Sequence, residues 1–279
     1  MANKRTLIDA PELRIRIDAD TPCFIFDCRF SLSDDRYGAN AYAENHIPTA
    51  QSADLNLQLS APIIPGKTGR HPLPARDTFL AQVQNWGVTA GAQVIAYDDG
   101  NGVFASRLWW MFRWLGHKTV AVLNGGIAAW KEAGFGTTAE VKSFEPSGFQ
   151  INSPLTNSIH ADDLLSQPGL LTDARDLPRF KGEIETIDPV AGHIPGAICL
   201  PFVQNLKGGY FRSADELQQR FRDAGIEPDS QVTCYCGSGV SAAHNILALV
   251  HAGFNEPTLY AGSWSEWITD PERPVARGE

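Results

Sequence analysis

VIAYDDGNGVFAS at residues 94–106 and VTCYCGSGVSAA at 232–243 are one pattern written twice, once a single residue is gapped. Each copy opens on a short β-branched run, passes through a glycine-containing loop and enters a helix-forming stretch. Strand, loop and helix in that order belong to an α/β fold built on a parallel sheet. The repetition spreads outward from this pair. Early in each half an apolar run ends in Asp-x-Arg, at Asp27 and Arg29 in FIFDCR and at Asp173 and Arg175 in LLTDAR. His-Ile-Pro follows at 46–48 and again at 193–195, and LNGGIAAW ending at Trp130 answers LYAGSWSEW ending at Trp267. Marks repeated in one order imply an internal duplication.

The chain has 279 residues, the right length for two domains of ordinary size. A polar stretch with no clear periodicity, 136–154, separates the halves. The expected division is an N-terminal domain over 1–140, a linker over 141–156 and a C-terminal domain over 157–279. Each domain is expected to be a parallel β-sheet with helices on both faces. The second half is shorter, and the difference falls on the Pro/Gly-rich APIIPGKTGRHPLP at 61–74, which reads as a long loop of the first half.

In open parallel sheets ligands bind beyond the carboxyl ends of the strands, so the residues after VIAY and VTCY are the first place to look for chemistry. Cys236 opens the loop Cys236, Gly237, Ser238, Gly239, Val240, Ser241, which runs directly into a helix. Glycines let successive backbone N–H groups turn inward, and the helix N-terminus adds its partial positive charge. Sulfur at that centre is expected to be held as the nucleophilic thiolate, and the same donors suit the terminal sulfur of a persulfide. No metal or organic cofactor is required. Cys234 lacks Cys-x-x-Cys spacing and is read, like Cys23, Cys28 and Cys199, as a core residue. Position 98, which aligns with Cys236, is Asp, so the first half is expected to be catalytically silent.

Cys-Gly-Ser-Gly-Val-Ser-Ala at 236–242 resembles the active-site loop of the 3-mercaptopyruvate sulfurtransferase branch of the tandem-domain rhodanese family. Gly-His-Ile-Pro-Gly (192–196), Gly-Arg-His-Pro-Leu-Pro (69–74) and Gly-Ser-Trp-x-Glu-Trp (262–267) are similar to marks of the same family. The resemblance covers nearly the whole chain. It implies two rhodanese-like domains with the nucleophile only in the second, and a sulfurtransferase moving sulfane sulfur from a small anionic donor to cyanide or a thiol, with thioredoxin as one such acceptor.

The resemblance also nominates donor-binding groups. Arg179, in DLPRFKG, matches the family's Arg-Phe-x-Gly, and a guanidinium can clamp a carboxylate through two hydrogen bonds. A second arginine expected before Gly-His-Ile-Pro-Gly is missing, and EIETIDPVA (183–191) stands in its place with three acids and no base. Ser238 fits the family's loop serine, with His46 as its matching histidine and Asp35 at a compatible spacing. The bland reading of His46 is structural, because His193 occupies the same motif without serving a triad. Asp27, Arg29, Asp173 and Arg175 recur in both halves and are expected to fix strand ends. Trp109, Trp110, Trp130, Trp264 and Trp267 are expected in packing. The uncharged loop suits the single carboxylate of mercaptopyruvate, with thiosulfate as the alternative donor.

Other classes fare worse. A cysteine phosphatase needs His before the Cys and Arg after five residues, where this chain has Tyr235 and Ala242. A non-catalytic module on the same fold is opposed by the intact loop and Arg179. The net charge of −9 argues against nucleic acid and anionic membrane surfaces as partners. No apolar run is long enough to span a bilayer, and the charged N-terminus lacks a secretory core segment. With five irregularly spaced cysteines, a reducing cytoplasm is the expected compartment.

Overall fold

The computed structural model describes residues 2–19 and 22–279. The chain forms two compact units. The first takes in the residues through Ala61, then Pro74–Leu155 and Gly208–Phe211; the second takes in Pro62–Leu73, Thr156–Lys207 and Arg212–Glu279. Part of the long loop read as belonging to the first half is therefore built into the second unit.

The first unit runs β1 (Leu7–Ile8), α1 (Ala10–Asp18), β2 (Cys23–Asp27), α2 (Tyr37–Glu44), β3 (Gln51–Ser52), α3 (Arg76–Asn85), β4 (Gln93–Tyr97), α4 (Val103–Trp114), β5 (Val120–Leu123) and α5 (Gly126–Glu132). Its sheet has the order β1-β5-β4-β2-β3, with all pairings parallel. The second unit runs β6 (Asn157–Ser158), α6 (Ala161–Leu164), β7 (Leu170–Asp173), α7 (Leu177–Lys181), β8 (Ala197–Cys199) and the short β9 (Leu206–Lys207). After β10 (Tyr210–Phe211), which counts with the first unit, come α8 (Ala214–Asp223), β11 (Val232–Tyr235), α9 (Ser241–His251), β12 (Thr258–Leu259) and α10 (Ser263–Trp267). Its sheet repeats the plan as β6-β12-β11-β7-β8, again parallel throughout.

The central strands are continuous apolar runs because helices cover the sheet: β4, β5 and β11 are buried along their whole lengths. The helices that follow them are apolar nearly all round, the mark of a helix sunk in a core. Val103, Ala105 and the run from Ser106 to Phe112 are buried in α4, and Ala242 to Leu249 in α9. By contrast α8 is amphipathic, with Leu217 and Phe221 buried and a capping box between Ser213 and Glu216. Trp109, Trp110, Trp130, Trp264 and Trp267 are all fully buried, as packing residues should be.

The Asp-x-Arg marks act as expected. Arg29 donates to both carboxylate oxygens of Asp27 and to Asn45 O; Arg175 does the same to Asp173 and to Gly192 O. Each pair ties its strand end to the segment carrying His-Ile-Pro. In that motif, His46 stacks on Tyr42 and His193 on Phe180, and each ring Nδ1 meets the same residue's carbonyl at 2.8 Å. The repeated histidine is thus a structural device in both copies. No helix among the described residues is long and apolar enough to cross a membrane.

Candidate active site

β11 ends at Tyr235, and Cys236 begins the turn that leads into α9. Gly239 takes a positive φ of 75°, and a Cβ there would collide with the Ala261 carbonyl oxygen. Glycine is the residue that tolerates both conditions. That bend aims the Gly239 N–H at Cys236 Sγ, 3.2 Å away. The loop is pinned from the other side by the start of α10: Trp264 N–H donates to Cys236 O and Ser265 N–H to Gly237 O, both at 2.9 Å. Cys236 N–H donates to Ser263 Oγ at 3.0 Å, and that hydroxyl donates onward to Tyr260 O. Cys236 lies at the bottom of this arrangement with 2% of its surface exposed.

The first unit shows the same loop filled differently. Asp98 follows β4, and its carboxylate accepts N–H groups from Gly100, Gly102, Phe104 and Ala105 at 2.9 to 3.3 Å. The inward-turned amides thus have a built-in anion as their partner. Burial pushes the Asp98 carboxyl above its usual range, while the four amides pull against that rise.

Arg179, on α7, lies beside the Cys236 loop but is not an isolated clamp. Its Nε and Nη2 donate to Glu185, and Nη2 also reaches Asp188 Oδ2 at 3.0 Å. A second guanidinium joins it. Arg70 donates through Nη1 to the other oxygen of Asp188, and its Nη2 comes to the loop. A methyl group built on Gly237 would meet Arg70 Nη2 at 2.9 Å and Arg179 Nη1 and Nη2 at 3.8 Å. A second guanidinium thus stands at the loop, supplied by the 62–73 segment and not by EIETIDPVA. Two acids of EIETIDPVA are their partners: Asp188 meets both arginines, and Glu185 meets Arg179.

The expected grouping of Ser238, His46 and Asp35 is corrected. Ser238 Oγ lies 2.8 Å from Nδ1 of His71, and both residues are buried. His46 Nε2 meets Glu140 O at 3.0 Å, so with Tyr42 O on Nδ1 both of its ring nitrogens are already engaged in the first unit. Asp35 sits in an exposed turn of the first unit. His71 and Arg70 come from the Gly-Arg-His-Pro-Leu-Pro motif, whose two polar residues standing among glycine and prolines were the available signal. Gly69 lets that motif approach α10, since a Cβ there would lie 2.6 Å from Gly262 O and 2.7 Å from Ser265 Oγ. Arg70 N–H then donates to Ser265 Oγ. Val240 is buried at the entry to α9 and Ser241 begins the helix.

The other cysteines are free thiols with no comparable surroundings. Burial pushes Cys23 and Cys234 up to about 12 and Cys28 well above the ordinary thiol value; burial, then Asp173, pushes Cys199 up to about 12.

Comparison with known proteins agrees with this construction. The rhodanese-like domain, as a family, matches residues 9–133 and 157–270. Over 280 residues the chain is 50% identical to a probable 3-mercaptopyruvate sulfurtransferase of Pseudomonas aeruginosa, covering 98% of each. It is 32% identical to the thiosulfate sulfurtransferase of Mus musculus, over 91% of this chain and 89% of that one. The solved 3-mercaptopyruvate sulfurtransferase from Leishmania major has a TM-score of 0.87 at 32% identity, covering 98% of this chain and 77% of that one.

Proposed function

The chain belongs to the rhodanese family and is a sulfurtransferase, and on that premise we propose that it carries sulfur as a persulfide on Cys236, taken from 3-mercaptopyruvate. The Cys236 thiolate forms an S–S bond to the donor sulfur while the donor C–S bond breaks. The electron pair leaves on carbon as the enolate of pyruvate, which takes up a proton. A thiol or cyanide then attacks the outer sulfur and returns Cys236 to the thiolate. The observation that carries this reading is the Gly239 N–H directed at Cys236 Sγ, in a loop whose counterpart holds a carboxylate in the same way. Amides that suit an anion also suit the charged outer sulfur of a persulfide.

The surrounding groups support the choice of donor. Arg70 and Arg179 meet at Gly237, where a donor carboxylate would lie one residue from the nucleophile. The Ser238 hydroxyl, hydrogen-bonded to His71, supports a proton relay to the pyruvate enolate. Thiosulfate gives sulfite as its leaving group and needs no such proton. The free cysteines suit a reducing compartment such as the cytoplasm.

Mass spectrometry after treatment with mercaptopyruvate should find one added sulfur on the peptide containing Cys236 and none on Cys23 or Cys28. Cys236→Ser should abolish both the adduct and turnover, and a serine variant with wild-type turnover would end the proposal. Assays with mercaptopyruvate and thiosulfate side by side should give the larger kcat/KM for mercaptopyruvate.

A further inference from the structure

Both arginines at the loop are met by carboxylates. Around the Cys236 loop, Arg70, Arg175 and Arg179 are paired with Asp173, Glu185 and Asp188, three cations against three anions. Asp188 is the one that touches both guanidiniums facing Gly237. One of its oxygens accepts from Arg70 Nη1 and the other from Arg179 Nη2, and its side chain is 2% exposed. Arg70 turns its other nitrogen, Nη2, to the loop, while Arg179 presents both Nη1 and Nη2 to it at 3.8 Å. Glu185 stands farther back, bound to Arg179 and Arg175 and accepting the backbone N–H groups of Ile187 and Asp188.

We propose that Asp188 is a specificity-determining residue: by bridging Arg70 and Arg179 it keeps them together while cancelling one positive charge, so that the site accepts a singly charged donor and discriminates against a doubly charged one. This rests on sulfur transfer at Cys236. The physical argument is Coulombic. A buried carboxylate behind the donor repels a dianion twice as strongly as a monoanion in the same place, and low polarity around the pair weakens screening. Two guanidiniums without Asp188 would repel each other and attract a dianion better. Its charge therefore costs thiosulfate more than it costs mercaptopyruvate.

The test compares kcat/KM for the two donors at neutral pH in the wild type, Asp188→Asn and Asp188→Glu. The ratio of thiosulfate to mercaptopyruvate should rise roughly tenfold in Asp188→Asn, equivalent to about 1.4 kcal/mol. Asp188→Glu, which restores the charge, should hold the ratio within about twofold of wild type. An Asn variant with an unchanged ratio overturns the role of Asp188 while leaving sulfur transfer at Cys236 intact. A wild type that turns over neither donor instead overturns the reading of Cys236. Should Asp188→Asn fail to fold, inhibition of the wild type decides. Methanesulfonate, with one charge, should inhibit mercaptopyruvate turnover at lower concentration than sulfate, which has a similar shape and two. Sulfate inhibiting as well or better would overturn the proposal.

Discussion

Ser238 Oγ lies 2.8 Å from Nδ1 of His71, whereas the ring nitrogens of His46 face the carbonyls of Tyr42 and Glu140. The two histidines should therefore fail differently when removed. His71→Ala is expected to lower kcat with mercaptopyruvate by about a hundredfold or more, the usual weight of a positioned proton carrier. His71 is buried as well, so the melting temperature of this variant should also fall, and turnover is the readout that separates the two variants. His46→Ala removes two hydrogen bonds and a stack on Tyr42, a loss of about 2–3 kcal/mol that should appear in the melting temperature. Its kcat should remain within about threefold of wild type. Thermal unfolding and steady-state kinetics on the same two preparations report these outcomes. A His46 variant that folds normally and loses turnover would restore the pairing expected from the motif alone.

At the scale of the element, the Cys236 loop is a strand-to-helix turn whose shape depends on Gly239. The residue has φ of 75°, and the turn before α10 presents the Ala261 carbonyl where a side chain would begin. Gly239→Ala must bend the loop away from Ala261, which takes the amide off Cys236 Sγ. A left-handed alanine costs about 1 kcal/mol before that collision is counted. The expected result is a fall in kcat/KM of at least about tenfold together with a lower melting temperature. Persulfide formation measured in a single turnover should slow by the same factor, and an unchanged rate would mean that the amide contact is dispensable. The matching loop after β4 has glycine at Gly102 with the same φ of 75°, so the backbone shape is the same where Asp98 stands in place of the nucleophile. Asp98 explains how: a carboxylate satisfies the amides that would otherwise face an empty centre.

The whole molecule is two units, but the cut between them does not follow the chain. Residues 62–73 belong with the second unit and carry Arg70 and His71 to the Cys236 loop. A fragment of residues 141–279 holds Cys236, Ser238 and Arg179 yet lacks both of those groups. It should show no mercaptopyruvate turnover above background, while the full chain does; a fragment as active as the full chain would show that Arg70 and His71 are not needed. Global stability should also carry a pH signature from the first unit. His117 is buried against Phe112 and Phe149, with Nε2 2.9 Å from Ala92 O, and burial lowers its pKa from 6.5. The unfolded chain then binds the proton more readily than the folded one. The contribution is fully present above pH 6.5 and is lost as pH falls through the folded-state value. The melting temperature of His117→Phe should therefore decline less steeply than that of wild type below pH 6.5, and parallel curves would remove His117 as the cause.

Much of this was legible in the residues themselves. The doubled strand–loop–helix pattern specified two parallel-sheet units because apolar runs and glycines act locally, on the strand or turn that contains them. The same locality placed Cys236 at the end of β11 and Asp98 at the end of β4. The paired Asp-x-Arg marks could be read as strand-end ties because they recur in both copies while the nucleophile does not. The destination of the 61–74 loop was not legible. It has no periodicity, and His71 meets a serine 167 residues away in the chain. Tertiary contacts direct it there: packing against Gly262 and Ser265, and the bonds of Arg70 to Asp188 and His71 to Ser238. The acids of EIETIDPVA were visible but had no assignable partner until folding brought Arg70 and Arg179 to Asp188. A charge has no periodic pattern of its own, and its meaning is set by the neighbours that tertiary structure supplies.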